Sequence, residues 1–331
     1  MDWAGRHVAV TGATGFLGHH LAAGLAARGA AVTALIRSPD KAARLAAIGV
    51  RCVVAPLDDP AAMTAAARRS EVFFHLAGAV DFAGGWDRLR SVNEQGTRNA
   101  LAAASAAGAR RFVHTSSIVA VGAARRPVPL AESFAWNLGR LRVPYLTTKY
   151  SGEQIALAAD GDGLEVVVAN PACVIGPDDF VGSEFGTLCK RFWRGRIPVY
   201  FGGGLNFVDV RDVADGLLRV AEHGRPGERY ILGGENRTLT DFFADLARVA
   251  GWAIPRVELP AALGPAAAWL HDHLRPPGTG RPYISADQAR LAGWYFFADC
   301  SKARRELGYR PRPLAETLSD TYSFWMPRRA A

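Results

Sequence analysis

Residues 8–29 read VAVTGATGFLGHHLAAGLAARG: a short apolar run, three glycines at Gly12, Gly15 and Gly18, then a helical pattern rich in alanine and leucine. A strand that empties into such a turn and continues at once as a helix brings backbone N–H groups to a helix N-terminus, with no Cβ to hold a ligand off. A pyrophosphate suits that geometry. The stretch therefore predicts a dinucleotide site in which Gly12, Thr14, Gly15, Phe16, Leu17 and Gly18 form the phosphate turn. The spacing is GxxGxxG, and a glycine triplet alone would say little; its place between a strand and a helix carries the reading.

Outward from this turn the first half of the chain alternates regularly. Apolar runs at His7–Val10, Ala31–Ile36, Cys52–Ala55, Val72–Leu76, Phe112–His114 and Leu164–Ala169 lie between helical patterns at Phe16–Arg28, Ala61–Arg69, Trp86–Ala107 and Tyr145–Ala159. Continuously apolar strands separated by helices predict an α/β fold with a doubly wound parallel sheet covered on both faces. From residue 173 the alternation gives way to turns rich in glycine and proline (IGPDD, FGGGLN, GRPGER, RPPGTGRP) among short helices and isolated strands. We therefore expect a dinucleotide-binding domain over 1–172, with 207–235 returning to it. A smaller C-terminal substrate-binding lobe is expected from 173–206 and 236–331.

Composition narrows the class. At 331 residues and 49% hydrophobic, the chain can bury a large core. No apolar run approaches the ~18 to 20 residues of a membrane span, and MDWAGRHVAV leads into a strand without a basic and apolar leader, so a cytoplasmic address is expected. The net charge of +8 is spread over dispersed arginines with no aromatic-interleaved basic stripe, which argues against nucleic acid as a partner. The segment 263–278, LGPAAAWLHDHLRPPG, with Trp269, Leu270 and Leu274 on its apolar side, is the one candidate for membrane-surface contact; an ordinary helix over the substrate cleft is preferred. Cys52, Cys173, Cys189 and Cys300 lack metal-ligand spacing and read as free thiols, so no metal site is expected.

The end of the second apolar run bears on cofactor choice. A site selective for NAD usually places an acidic residue there, to accept from the ribose hydroxyls. This chain reads ALIRSPDKAAR, with Arg37 in that place and Lys41 and Arg44 following. A guanidinium suits a 2′-phosphate, so NADP(H) is favoured over NAD(H). Alternatively, Arg37 merely stacks on adenine and both cofactors are accepted.

The stretch PYLTTKYSGEQIA, 144–156, sets Tyr145 and Lys149 one helical turn apart, in a chain with only four lysines. RFVHTSSIVAVG, 111–122, delivers Ser116 and Ser117 to the carboxyl edge of the sheet, and SVNEQGTRNA adds Asn93. A free phenol, with a pKa near ~10, is a poor acid or base at neutral pH, and a positive charge beside it would favour the phenolate. Lys149 is expected to supply that charge and to reach the nicotinamide ribose, while Ser117 holds the substrate oxygen and Tyr145 moves its proton. Asn93 is expected to hold a local kink and a relay water.

With TGATGFLG, FHLAG, VNEQGT, TSS followed by VG, YLTTK and NPACVIGP in order, the chain resembles the extended short-chain dehydrogenases/reductases over essentially its full length. GLNFVDVRDVADG, GRPGERYILGGEN and SKARRELGYRPRP are similar to the dihydroflavonol-reductase-like and hopanoid-associated sugar-epimerase group. The resemblance implies a Rossmann-type fold and a Ser117, Tyr145, Lys149 triad with Asn93. Of the two serines, Ser117 fits better because it precedes Gly122 by five residues. It also implies cofactor contacts from Leu57, Asp58, Leu76, Ala77, Gly78, Thr115, Asn170, Pro171, Cys173 and Val174, and a homodimer built on the helices at 86–107 and 145–159.

Two departures bear on function. VVAPLDDP puts Pro56 where the family often has an acidic residue for adenine. Asn170–Pro171 stands where nucleotide-sugar enzymes typically carry an arginine before the proline, although Arg191, Arg194, Arg196 and Arg281 remain. Expected substrate contacts are Asp81, Trp86, Ser117, Val119, Trp136, Phe185, Trp193, Tyr200 and Phe207, within an aromatic set that also includes Phe82, Phe134 and Phe192. They lean toward a bulky apolar small-molecule substrate. Asp209 is read as a structural tie and Asp212 as a helix cap. The expected activity is NADP(H)-dependent interconversion of a ketone or aldehyde and an alcohol. The alternatives are a sugar epimerase or dehydratase that retains its cofactor, and a non-catalytic NADP sensor.

Overall fold

The computed structural model describes residues 2–82, 85–197, 199–251, 257–274 and 285–327. Arg281, the end of the 263–278 segment and the RPPGTGRP turn lie outside them. The first strand, β1 (His7–Thr11), feeds α1 (Phe16–Ala27), followed by β2 (Ala31–Ile36), a short α2 (Ala43–Ala46), β3 (Arg51–Val54), α3 (Pro60–Ala66) and β4 (Val72–His75). Then come α4 (Trp86–Arg90), a π-helical turn over Ser91–Gln95, α5 (Gly96–Ala106), β5 (Arg111–Thr115), α6 (Pro144–Leu157), β6 (Glu165–Pro171) and β7 (Cys173–Ile175). The remainder contains α7 (Glu184–Trp193), β8 (Val199–Phe201), β9 (Gly204–Asp209), α8 (Val210–His223), β10 (Arg229–Leu232), β11 (Glu235–Thr238), α9 (Leu239–Ala250) and β12 (Val257–Leu259). It ends with α10 (Gly264–Leu274), α11 (Ala286–Arg290), β13 (Tyr295–Phe296), α12 (Ser301–Leu307) and α13 (Leu314–Trp325).

Seven strands form one parallel sheet in the order β10-β6-β5-β4-β1-β2-β3. The order reverses between β1 and β4, and open α/β sheets bind ligands in the crevice at that switch point. Val8, Val10, Phe74 and Val113 point into one apolar layer while Ala9, Phe73, Phe112 and Val166 point into the other, so both faces are covered. Local signals fix the ends: Asp59 caps α3 by accepting from the Ala62 N–H at 2.9 Å, ahead of Pro60 in the first turn.

A second sheet runs β11-β9-β13 with β7 paired to β9, and β8 pairs with β12. It needs its own core, and aromatics supply it: Phe207 stacks on Phe242 at 3.7 Å, Phe192 on Phe243 at 5.3 Å, and Trp193 donates from Nε1 to the Leu246 carbonyl at 3.0 Å. Burying each such ring contributes about 2 to 3 kcal/mol. Trp193 and Phe207, expected at the substrate, pack fully buried with Phe192 in this core. Where every neighbouring position is aromatic, core and cleft look alike in sequence.

The two aspartates exchange their expected roles. Asp209 caps α8, accepting from the Arg211 N–H at 2.8 Å, while Asp212 is the tie, accepting from the Arg312 N–H at 2.7 Å and from its guanidinium. Near the phosphate turn, the loop after β7 approaches both the first turns of α1 and the last helix. Phe180 carries the Arg44 guanidinium over its ring at 3.6 Å and meets Phe324 edge-on, and His20 Nε2 lies 3.3 Å from the Pro177 carbonyl.

Candidate active site

The turn after β1 is built for close approach. Gly12 has φ +74°, and a Cβ there would meet the Ala77 nitrogen, across the switch point, at 2.6 Å. Gly18 serves packing: its Cβ would meet the Gly12 carbonyl oxygen at 2.1 Å, so helix and turn touch backbone to backbone. Gly15 is the N-cap of α1 and brings no side-chain cap, and the first turn has no acidic residue. The helix N-terminus thus keeps N–H groups without a side-chain acceptor, which is where a pyrophosphate binds best.

A cleft of about 480 Å³ opens from this turn. Gly12, Thr14, Gly15, Arg37, Leu57, Asp58, Leu76, Ala77 and Gly78 line it as expected, with Pro56 beside them. Phe16, Leu17 and Gly18 do not line it. Phe16 is buried against His20, Leu17 packs on the core and Gly18 on the turn. Sequence reasoning missed Ser38 at the β2 end and Ser91, Val92, Gln95 and Asn99, which also line it. Asn99 donates to the Leu57 carbonyl at 2.7 Å, and that contact ties α5 to the adenine end of the cleft. Four of the missed positions, Ser91, Val92, Gln95 and Asn99, lie in or beside VNEQGT at helical spacing, a signal that could have found them.

Further along the sheet edge, Tyr145 Oη donates to Ser117 Oγ at 3.5 Å, and Lys149 Nζ, one turn on in α6, donates to the Thr115 carbonyl at 3.0 Å. Ser116 is buried with its hydroxyl unpartnered, so Ser117 is the serine that faces the phenol. Asn93 sits in the π-helical turn, accepting from the Ala79 N–H at 2.8 Å and donating to Thr148 Oγ1 at 3.1 Å. It joins the strand end after β4 to α6. Gly152 makes room, because a Cβ there would meet the Asn93 carbonyl oxygen at 2.5 Å.

The electrostatics correct one expectation. Burial pushes the Tyr145 phenol up to about 12, only partly offset by its hydrogen bond to Ser117, so it is held protonated rather than as phenolate. Burial likewise pulls Lys149 down to about 8, with Glu153 pulling the other way. The ammonium is directed at the Thr115 carbonyl, and burial is the main cause of the phenol's shift. Behind the triad, fully buried Glu153 accepts from Arg229 Nη1 at 2.6 Å and from Asn170 Nδ2, and the same Asn170 nitrogen donates to the Ser117 carbonyl at 3.0 Å. Sequence reasoning named Asn170 but missed Glu153 and Arg229, which stand 76 positions apart.

Pro171 ends β6, and Cys173 and Val174 begin β7. These three, Thr115 and Asn170 do not line the cleft described above. Asp81 is buried in an ion pair with Arg88 at 2.6 Å, Trp86 lies under the Arg90 guanidinium at 4.9 Å, and Trp136 stacks on Tyr150 at 4.2 Å while donating to the Val119 carbonyl. A separate apolar cavity of about 210 Å³ is lined by Phe82, Phe185, Leu188, Tyr200, Phe243 and Trp294, among others. It adjoins the phenol through Phe82, whose ring meets Tyr145 edge-on at 5.0 Å. Of the other lysines, Lys41 lines the dinucleotide cleft, Lys190 lies over Trp325 at 4.1 Å and Lys302 is paired with Glu228 at 2.6 Å. Among the described residues, no His, Cys, Asp and Glu gather as metal ligands do, and no helix is long and apolar enough to cross a membrane.

A Rossmann-type sheet with a glycine turn at its switch point and Ser, Tyr and Lys along its carboxyl edge defines a dinucleotide-dependent oxidoreductase. The chain belongs to the NAD dependent epimerase/dehydratase family, whose model matches residues 8–233. It is 34% identical to the sterol demethylase protein B of Methylococcus capsulatus over 325 residues, 96% of this chain and 98% of that one. It is 30% identical to the 4-hydroxy-2-methyl-3-oxo-4-farnesyl-3,4-dihydroquinoline-1-oxide ketoreductase of Stigmatella aurantiaca, covering 92% and 91% of the two chains. Among solved structures it superposes on the nucleoside-diphosphate-sugar epimerase PA4631 of Pseudomonas aeruginosa with a TM-score of 0.81, at 27% identity and 97% and 98% coverage.

Proposed function

We propose that the protein is an NADP(H)-dependent reductase of a bulky, mainly apolar ketone or aldehyde. The observation that carries this reading is the Tyr145 phenol, buried, protonated and hydrogen-bonded to Ser117, beside a cavity walled by aromatic and aliphatic side chains. A phenol within hydrogen-bond reach of the serine that holds the carbonyl oxygen can pass its proton to that oxygen as the hydride arrives. The nicotinamide, when bound, supplies the hydride. Ser117 orients the carbonyl oxygen, Tyr145 delivers the proton to it, and Lys149 anchors the ribose edge of the site. Asn93 fixes the turn that joins them. Arg37, Ser38 and Lys41 at the β2 end of the cleft support a 2′-phosphate over a bare ribose diol. The ketoreductase relative, named for a farnesyl-bearing substrate, agrees with the apolar cavity.

Similarity to a nucleoside-diphosphate-sugar epimerase favours a second reading, in which the cofactor stays bound and no net redox change occurs. Absorbance of added NADPH and NADH with a panel of bulky ketones and aldehydes separates the two. Stoichiometric NADPH consumption is expected, and Tyr145→Phe should lower kcat roughly 100-fold or more while leaving NADPH binding unchanged. Tightly retained NAD with no net consumption would instead establish the epimerase.

A further inference from the structure

The cavity beside Tyr145 is mainly apolar, and its charged side chains come from one face of α7. Glu184, Leu188 and Arg191 recur there at helical spacing with Phe185, and all four line it. The two charges differ in their surroundings. Glu184 accepts from Gln288 Nε2 at 3.0 Å across the cavity mouth. Arg191, half-buried, has no carboxylate partner among the described residues, whereas Arg111, Arg211, Arg229, Arg237 and Arg312 all have one. A guanidinium in an apolar wall without a counter-charge is incompletely compensated, and an anionic ligand group would complete it.

Its position says which part of a ligand that would be. Phe82, which meets the Tyr145 phenol edge-on, lines the same cavity as Glu184 at the start of α7. Arg191 lies seven residues further, about 10 Å along the helix axis.

From this placement we infer that the substrate is amphipathic, with a carbonyl at Tyr145, an apolar body in the cavity and a carboxylate or phosphate received by Arg191. The inference deepens the reductase reading and rests on it for the position of the carbonyl. It also explains how an apolar cleft without the usual nucleotide-sugar arginine can still fix one end of its ligand.

Binding tests it apart from turnover. The probes are decanoic acid bearing a ketone near its far end, and the methyl ester of that acid. Intrinsic tryptophan fluorescence, to which Trp294 in the cavity wall contributes, reports occupancy. The wild-type protein should bind the acid about 10- to 100-fold more tightly than the ester. Arg191→Gln should abolish that preference, and Arg191→Lys should retain part of it, which separates loss of charge from loss of fold. Equal binding of acid and ester by the wild type, or an unchanged preference in Arg191→Gln, would overturn the inference. NADPH consumption with the ester tests the reductase reading separately. Turnover without acid preference removes only Arg191's role, and acid preference without turnover of either probe removes only the reductase.

Discussion

Tyr145 and Lys149 are each displaced from their solution behaviour by the same cause, removal from water, and in opposite directions. Sequence can place the pair on one helical face, but the balance of burial against charge depends on Phe82, Thr115 and Glu153, which arrive from other segments. That is why the residues of the site were legible and the protonation of the phenol was not. Arg37 is the opposite case, since its position at the end of β2 follows from the strand pattern alone. Arg37→Asp should raise KM for NADPH about 10-fold or more and lower it for NADH, because a carboxylate repels a 2′-phosphate and accepts from a diol. Parallel initial-rate measurements with both cofactors check this, and an unchanged preference would remove Arg37 from specificity.

The helix read as continuous over 86–107 is interrupted by a π-helical turn at Ser91–Gln95, where one extra residue per turn lets the buried Asn93 reach both the Ala79 backbone and Thr148. Apolar periodicity is nearly the same for α and π geometry over five residues, so no pattern in SVNEQ marks it. The expectation of a local irregularity held by Asn93 came from that stretch, and the π-helical turn lies there. Gly152 in α6 lies against the Asn93 carbonyl. Gly152→Ala should therefore destabilise the protein by about 1 to 3 kcal/mol and lower kcat as well, since relief of the clash must move the turn. Urea unfolding and steady-state rates on one preparation test both parts. A stability loss with unchanged kcat would show that the turn does not position the site.

Across the whole molecule the parallel sheet covered on both faces was legible, because buried strands between helices leave one architecture open, whereas its strand order was not read from the sequence. The second sheet was not, since short strands among aromatic core residues carry no period. The sheet also hides an acid liability. His75 is buried between Thr11 and Thr97, with its pKa pulled down to about 3 by burial, and His114 is buried beside it with neither ring nitrogen partnered and its pKa also lowered. Both stay neutral in the folded protein while the unfolded chain protonates them near pH 6.5, so stability should fall as pH drops from about 6.5 toward 3. His75 contributes about 1.4 kcal/mol per pH unit within that window, and His114 acts in the same direction. His114→Leu should flatten the dependence of Tm on pH between 6.5 and 4.5; an unchanged slope would place the liability elsewhere.

The scarcity of lysine gives the chain a property unrelated to catalysis. Lys149 is buried, Lys302 is engaged by Glu228 and Lys190 lies over an indole, whereas Lys41 stands exposed at the rim of the dinucleotide cleft. An acylating reagent at mild pH therefore meets one freely reachable side-chain amine, and a filled cleft shields it. Lys149, buried in the folded protein, becomes reachable only when the protein opens. Side-chain amine labelling of this protein thus reads occupancy first and unfolding second.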